Sequence, residues 1–164
     1  MKQVLIDKVV VSMGVGTDDA TRKKASQIIQ LVTGMKPVET LSKSRIPDWD
    51  LRPGVPIGYK VTLRGEKAAE FLKNGLDSRD KKIPAKSFDK EGNFAFGIKE
   101  HINLPGIKYD PKVGIMGFDV LVSLKKRGYR LKYRQLKNGV VGRKQRVSTQ
   151  EAIEFVKAMG VEVA

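Results

Sequence analysis

The stretch Ile57–Gly58–Tyr59–Lys60–Val61–Thr62–Leu63–Arg64 alternates apolar and polar residues without a break. In an extended strand successive side chains point to opposite faces. Ile57, Tyr59, Val61 and Leu63 therefore share one face, and Gly58, Lys60, Thr62 and Arg64 share the other. A strand of this kind belongs to a sheet covered on one side only. That pattern is typical of antiparallel sheets, not of the parallel sheets that helices bury on both faces.

The segments that would supply the cover lie on either side. Ala25, Ile28, Ile29 and Val32 follow helical spacing, which predicts a helix over residues 18–33 with Thr17 as its N-cap and Gly34 as its stop. Ala68, Phe71 and Leu72 predict a second helix over 66–74, ended by Gly75. Ala152, Phe155, Val156 and Met159 predict a third over 149–159, opened by a capping box of Ser148 and Glu151. Further strands are expected at 4–13, 36–42, 94–99 and 118–124. The fold class is α+β: a mainly antiparallel sheet with helices packed on one face and the other face open. No linker or repeat divides the chain, so residues 1–164 read as one domain. It carries a long proline-bearing loop at 43–56 and a basic tract at 125–146.

The charge is large and local. The chain has 164 residues and a formal net charge of +14. Residues 108–146 alone hold 12 Lys/Arg against 2 Asp/Glu, while residues 147–164 are net acidic. Such an excess implies a polyanionic partner, nucleic acid or an acidic membrane surface. Nucleic acid is favoured, because no basic amphipathic helix suits a bilayer interface and no run of about 18 apolar residues could span one. The N-terminal MKQVLIDKVVV interleaves acid and base with its apolar residues, unlike a signal peptide. In the basic tract Tyr129 and Tyr133 stand among Lys125, Lys126, Arg127, Arg130, Lys132 and Arg134, with Arg143, Lys144 and Arg146 following. Lysine and arginine neutralise phosphates, and tyrosine stacks on unpaired bases.

Catalytic and metal chemistries find little support. There is no cysteine, which excludes disulfides, thiolate catalysis and cysteine-ligated zinc. His101 is the one histidine, and a structural or surface role is expected for it. Asp48 and Asp50 flank Trp49 in a loop, where carboxylates are usually just solvated. The stretch VVVSMGVGTDD, residues 9–19, has the look of a nucleotide loop. It lacks the third glycine of a dinucleotide fingerprint and the Gly-Lys-Ser/Thr of a Walker loop. Asp18 and Asp19 would repel a phosphate at the helix start. The expectation is a glycine turn, with no catalytic residue, no metal and no cofactor.

Longer motifs carry a resemblance. VVVSMGVG, TGMKPVETLSKSR, LRPGVPIGYKVTLRG and KSFDKEGNFAFGIKEHINLPGIKYDPKVGIMGFDV occur in that order. Together they resemble the universal large-subunit ribosomal protein number five, the family that binds 5S rRNA. The late basic tract followed by STQEAIEFVKAMGVEV is similar to the archaeal and eukaryotic branch. The resemblance implies a non-enzymatic, cytoplasmic, ribosome-bound protein of the central protuberance. Its implied partners are 5S rRNA, 23S rRNA, P-site tRNA and neighbouring proteins, including a small-subunit head protein across an intersubunit bridge. Membranes are not among them.

Carried over by position, the implied 5S contacts are Ser12, Met35, Lys36 and Thr62; Lys60 and Arg64 on the open face, with Thr40, complete the expected 5S set. Ser12 stands where relatives often have Asn, and keeps a hydroxyl in place of an amide. Met35 stands where they have Gln and offers no equivalent hydrogen bond. The loop approaching tRNA corresponds to residues 44–56, with Arg45, Trp49 and Arg52 as its contacts. Lys125, Lys126, Arg127, Arg130, Lys132, Arg134, Arg143, Lys144 and Arg146 are expected to make other RNA or bridge contacts. Loops 43–56 and 137–146, charged and poor in core residues, are expected to be mobile in the free protein.

Overall fold

The computed structural model describes residues 3–163. In chain order the elements are β1 (Val4–Gly14), α1 (Asp19–Thr33), β2 (Val38–Leu41), β3 (Pro56–Leu63), α2 (Glu66–Asp77) and β4 (Lys82–Ile83). There follow β5 (Phe94–Ile98), β6 (Phe118–Lys126), α3 (Arg130–Tyr133), α4 (Thr149–Ala158) and β7 (Glu162–Val163). Five strands form one mainly antiparallel sheet in the order β2-β3-β1-β6-β5. β4 and β7 make a separate parallel ribbon. The α+β class read from the Ile57–Arg64 alternation is the observed one.

By contact density the chain divides into two units. One comprises Val10–Leu63 and Gly97–Val120. Here α1 lies against β3 and buries Ala25, Ile28 and Ile29 with Val61 and Leu63, while Lys60 and Thr62 stay exposed. The period-2 pattern thus becomes a covered and an open face. β2 pairs antiparallel with β3, Thr40 opposite Gly58 and Glu39 opposite Tyr59. The Tyr59 hydroxyl donates to Glu39 Oε1 at 3.2 Å on the side facing away from Lys60. Burial and this bond raise the Tyr59 phenol pKa. His101 is 2 % exposed, with its backbone N–H donating to the Met116 carbonyl at 3.2 Å, and has the structural place expected for it.

The other unit comprises the beginning of β1, Arg64–Phe96 and the chain from Leu121 onward. Alternate residues of β5 and β6 are buried: Phe94 and Phe96, then Val122, Leu124 and Lys126. α2 contributes Ala68, Phe71, Leu72 and Leu76 to this core, and α4 contributes Ala152 and Val156.

Most elements differ from the sequence reading by a residue or two at an end, and β6 runs on to Lys126; two helix ends differ for a specific reason. The first helix is capped by Asp18, not Thr17: its carboxylate accepts from the backbone N–H and the hydroxyl of Thr21. Those bonds hold Asp18 below the usual carboxylate range. Either side chain suits an N-cap, and the aspartate stands three residues before the Thr21 amide of the first turn that it caps. Gly75 does not end α2. It is buried inside the helix, which runs on to Asp77, because packing there outweighs the helix cost of glycine. The capping box at α4 is present as expected, Ser148 accepting from the Glu151 N–H and Glu151 from the Ser148 N–H at 3.0 Å.

Candidate nucleic-acid interface

The glycine turn is not an anion cradle. The Val15 and Gly16 amides both donate to the Ile57 carbonyl at 3.1 Å, and the start of α1 holds the Asp18 carboxylate. Donors that a phosphate would need are used inside the protein.

In the unit of Val10–Leu63, the open side of the sheet carries a short polar and basic row. Ser12 is half-buried on the less covered side of β1, Thr40 is half-exposed on β2, and Lys60 and Thr62 are exposed on β3. Gly58 lies among them, and a side chain there would stand 2.3 Å from the Met13 carbonyl oxygen and 3.1 Å from Thr40 Oγ1. The strands pass so closely at this point that no side chain fits. Met35 and Lys36 are exposed just beyond the left-handed cap Gly34, so they adjoin the start of β2 and lie outside its ladder.

The 43–56 loop has a hydrogen-bonded frame. The Ser42 amide donates to the Val55 carbonyl at 2.8 Å and the Gly54 amide to the Ser42 carbonyl at 3.0 Å. Further out, Ile46 and Leu51 exchange bonds of 3.0 Å around a single turn at Pro47–Trp49. Trp49 is 69 % exposed at the tip, and Arg45 and Arg52 are exposed on the stems. In hydrogen exchange, slower exchange is expected at the Ser42, Ile46, Leu51 and Gly54 amides than elsewhere in the loop; uniform fast exchange would count against the ladder.

The second unit sorts the basic tract into distinct roles. Lys126 is a correction to the sequence reading. It is 4 % exposed, and its ammonium donates to Glu151 Oε1 at 2.7 Å and to the Arg146 carbonyl at 3.1 Å. It is a buried structural cation unavailable to a phosphate, because position 126 falls on the covered parity of β6. Lys125, on the opposite parity, donates to Asp7 Oδ1 at 2.7 Å, and Arg64 approaches the same oxygen at 3.9 Å. Arg146 is 3.6 Å from Glu91. Arg134 donates to the Lys137 carbonyl at 2.6 Å. Arg127, Arg130, Lys132, Arg143 and Lys144 stand exposed.

The tract does more than protrude. Gln145 donates to the Arg127 carbonyl at 2.6 Å and Arg146 to the Val141 carbonyl at 3.3 Å, while Val141 and Val147 are buried. In this unit the tract roofs part of the polar side of the sheet, over Lys8, Asn93 and Ser123, and leaves a cavity of about 640 Å³ between them. Sequence reasoning missed this roof and the part of Asp7 in it. Asp7 lies 118 residues from Lys125, and no local spacing signals that pair.

Among the described residues no helix is long and apolar enough to cross a membrane. Two family models match: "Ribosomal protein L5" over residues 1–52 and "ribosomal L5P family C-terminus" over residues 56–159. The chain is 45 % identical over 163 residues to the large ribosomal subunit protein uL5 of Archaeoglobus fulgidus, covering 99 % of this chain and 91 % of that one. It is 45 % identical to uL5 of Pyrobaculum aerophilum (99 % and 92 % covered) and 43 % identical to uL5 of Nanoarchaeum equitans (99 % and 97 %). An alternating strand with one basic face, a cationic tract and this similarity over almost the whole length agree: the chain belongs to the uL5 family of large-subunit ribosomal proteins.

Proposed function

We propose that the chain is a non-enzymatic component of the cytoplasmic large ribosomal subunit that binds 5S rRNA and helps attach it in the central protuberance. The observation that carries this reading is the row of Ser12, Thr40, Lys60 and Thr62 around the closely packed Gly58 on the less covered side of β1, β2 and β3. Lys60 supplies phosphate affinity, and the hydroxyls and backbone edges recognise RNA shape. Met35 and Lys36 extend the contact at the start of β2, and Arg64, beside Asp7 in the other unit, is a separate 5S-contact candidate. The exposed cations of the basic tract serve 23S rRNA and a small-subunit head protein. The 43–56 hairpin, with Arg45, Trp49 and Arg52, reaches toward P-site tRNA. Its proline-fixed backbone and internal ladder favour a pre-formed reach.

Gel shift against 5S rRNA and an unrelated RNA of equal length tests the central claim. Tighter binding of 5S is expected, with a log–log salt slope of about −4 for some five neutralised phosphates. Lys60→Ala should weaken both RNAs and lower the salt slope by about one, whereas Thr62→Val should weaken 5S binding several-fold and leave the unrelated RNA nearly unaffected. Equal affinity of the wild type for both RNAs would overturn the reading.

A further inference from the structure

We propose that the cavity beneath the basic tract receives an unpaired guanine extruded from an RNA strand. This rests on the family's RNA binding, and not on which RNA occupies the β1-β3-β2 face. The cavity lies wholly within the second unit and is large enough for a nucleobase. Its floor is hydrogen-bonding sheet surface, where Ser123 Oγ donates to Asn93 Oδ1 at 3.0 Å and Asn93 donates to Asp89 at 2.8 Å. These bonds fix the floor. Its wall is Tyr129 and Tyr133, four residues apart and both lining the cavity. Among the described residues neither phenol carries a hydrogen bond, and Tyr133 is 62 % exposed. Two aromatic rings on one short turn beside a polar floor form a stacking surface, which needs no particular sequence.

The charges decide which part of a nucleotide enters. The cavity lining is mixed in charge, with Asp7 and Glu91 standing among Lys8, Lys132 and Arg146. Both carboxylates have a cation beside them: Lys125 for Asp7, Arg146 for Glu91. The cations nearest Asp7 approach its Oδ1, and among the described residues none approaches Oδ2. Guanine offers two adjacent donors, N1–H and N2–H, to a carboxylate, whereas adenine has no N1–H. The same two tyrosines also line a smaller cleft of about 300 Å³ with Lys125, Arg127 and Arg130, and no acidic residue borders it. Carboxylate acceptors for a base therefore lie in the larger cavity, and the phosphate is favoured in the acid-free cleft. Extruding an already unpaired base costs little, which makes a bulge the natural source.

The experiment uses the full chain and a short RNA hairpin carrying one bulged guanine. Comparison RNAs are the same hairpin with a bulged adenine and the same hairpin fully paired, all measured over excess paired competitor. The guanine bulge is expected to bind about tenfold more tightly than the paired hairpin and more tightly than the adenine bulge. Tyr133→Ala should abolish that advantage, leave paired-hairpin binding unchanged and leave the fold intact, since Tyr133 is largely exposed. Tyr133→Phe should retain it. Equal binding of bulged and paired hairpins, a preference for adenine, or an advantage that survives Tyr133→Ala would each overturn the proposal. Free GMP binding as tightly as the bulged RNA would overturn its assignment to RNA. The hairpins carry no 5S sequence, so loss of 5S selectivity and loss of bulge selectivity are read separately.

Discussion

Gly58→Ala is expected to destabilise the protein by about 3 kcal/mol, at the upper end for a single added methyl in a packed site. For a chain of this length that is a fall in Tm of roughly 6–12 °C. The reason is geometric. The new Cβ would stand 2.3 Å from the Met13 carbonyl oxygen and 3.1 Å from the Gly14 Cα, both backbone atoms of the neighbouring strand. A flexible side chain could move aside, but a paired strand moves only by giving up ladder bonds. Gly97→Ala is the control. There the nearest atom is the Asp119 carboxylate oxygen at 3.3 Å, the end of a rotatable side chain. It should change stability by less than about 0.5 kcal/mol. Comparable losses in the two variants would show that strand glycines matter here for some general reason, and not for close approach at position 58. Because Gly58 lies between Thr40 and β1, Gly58→Ala should also weaken 5S binding beyond its loss of stability.

The same position explains how much of this protein was legible in its sequence. The alternation of 57–64 needs only the period of a strand, and it led to the right fold class. The stripes of Ala25, Ile28 and Ile29, of Ala68, Phe71 and Leu72, and of Ala152 and Val156 needed only the period of a helix. Local capping chemistry was readable at Ser148 and misplaced by one residue at Asp18, where two good caps are adjacent. What failed depended on distant packing. β4 and β7 are two residues each and pair across eighty positions, so neither leaves a periodic signal. The cations of the basic tract look equivalent in sequence. Their fates diverge with strand parity and remote partners: Lys125 meets Asp7, Lys126 is buried, and Arg127 is exposed. A run of charge gives the sign of a surface; it does not reveal which members hold the surface together.

Lys126 and Glu151 turn that distinction into a measurable asymmetry. Glu151→Ala should cost about 3 kcal/mol, because it leaves the Lys126 ammonium buried without its counter-charge. The Arg146 carbonyl at 3.1 Å remains as a neutral partner and does not replace a carboxylate. The substitution also removes the half of the α4 capping box that Glu151 supplies to the Ser148 N–H. Lys126→Met is the opposite case. It removes the buried charge, fills much the same volume and leaves Glu151, whose side chain is over a third exposed, to be solvated. Its stability should stay within about 1 kcal/mol of the wild type. The pH dependence follows with its sign. The hydrogen bond from Lys126, then that from the Ser148 N–H, lowers the Glu151 pKa in the folded protein. Their stabilisation is therefore present above the ordinary glutamate range and lost as pH falls through the depressed folded value. Tm measured across the acid range should fall less steeply for Lys126→Met than for the wild type, with the two curves parallel near neutrality. If Lys126→Met were as damaging as Glu151→Ala, Lys126 would stabilise chiefly by its own bonds; the smaller loss is expected because the burial of its charge offsets most of what those bonds contribute.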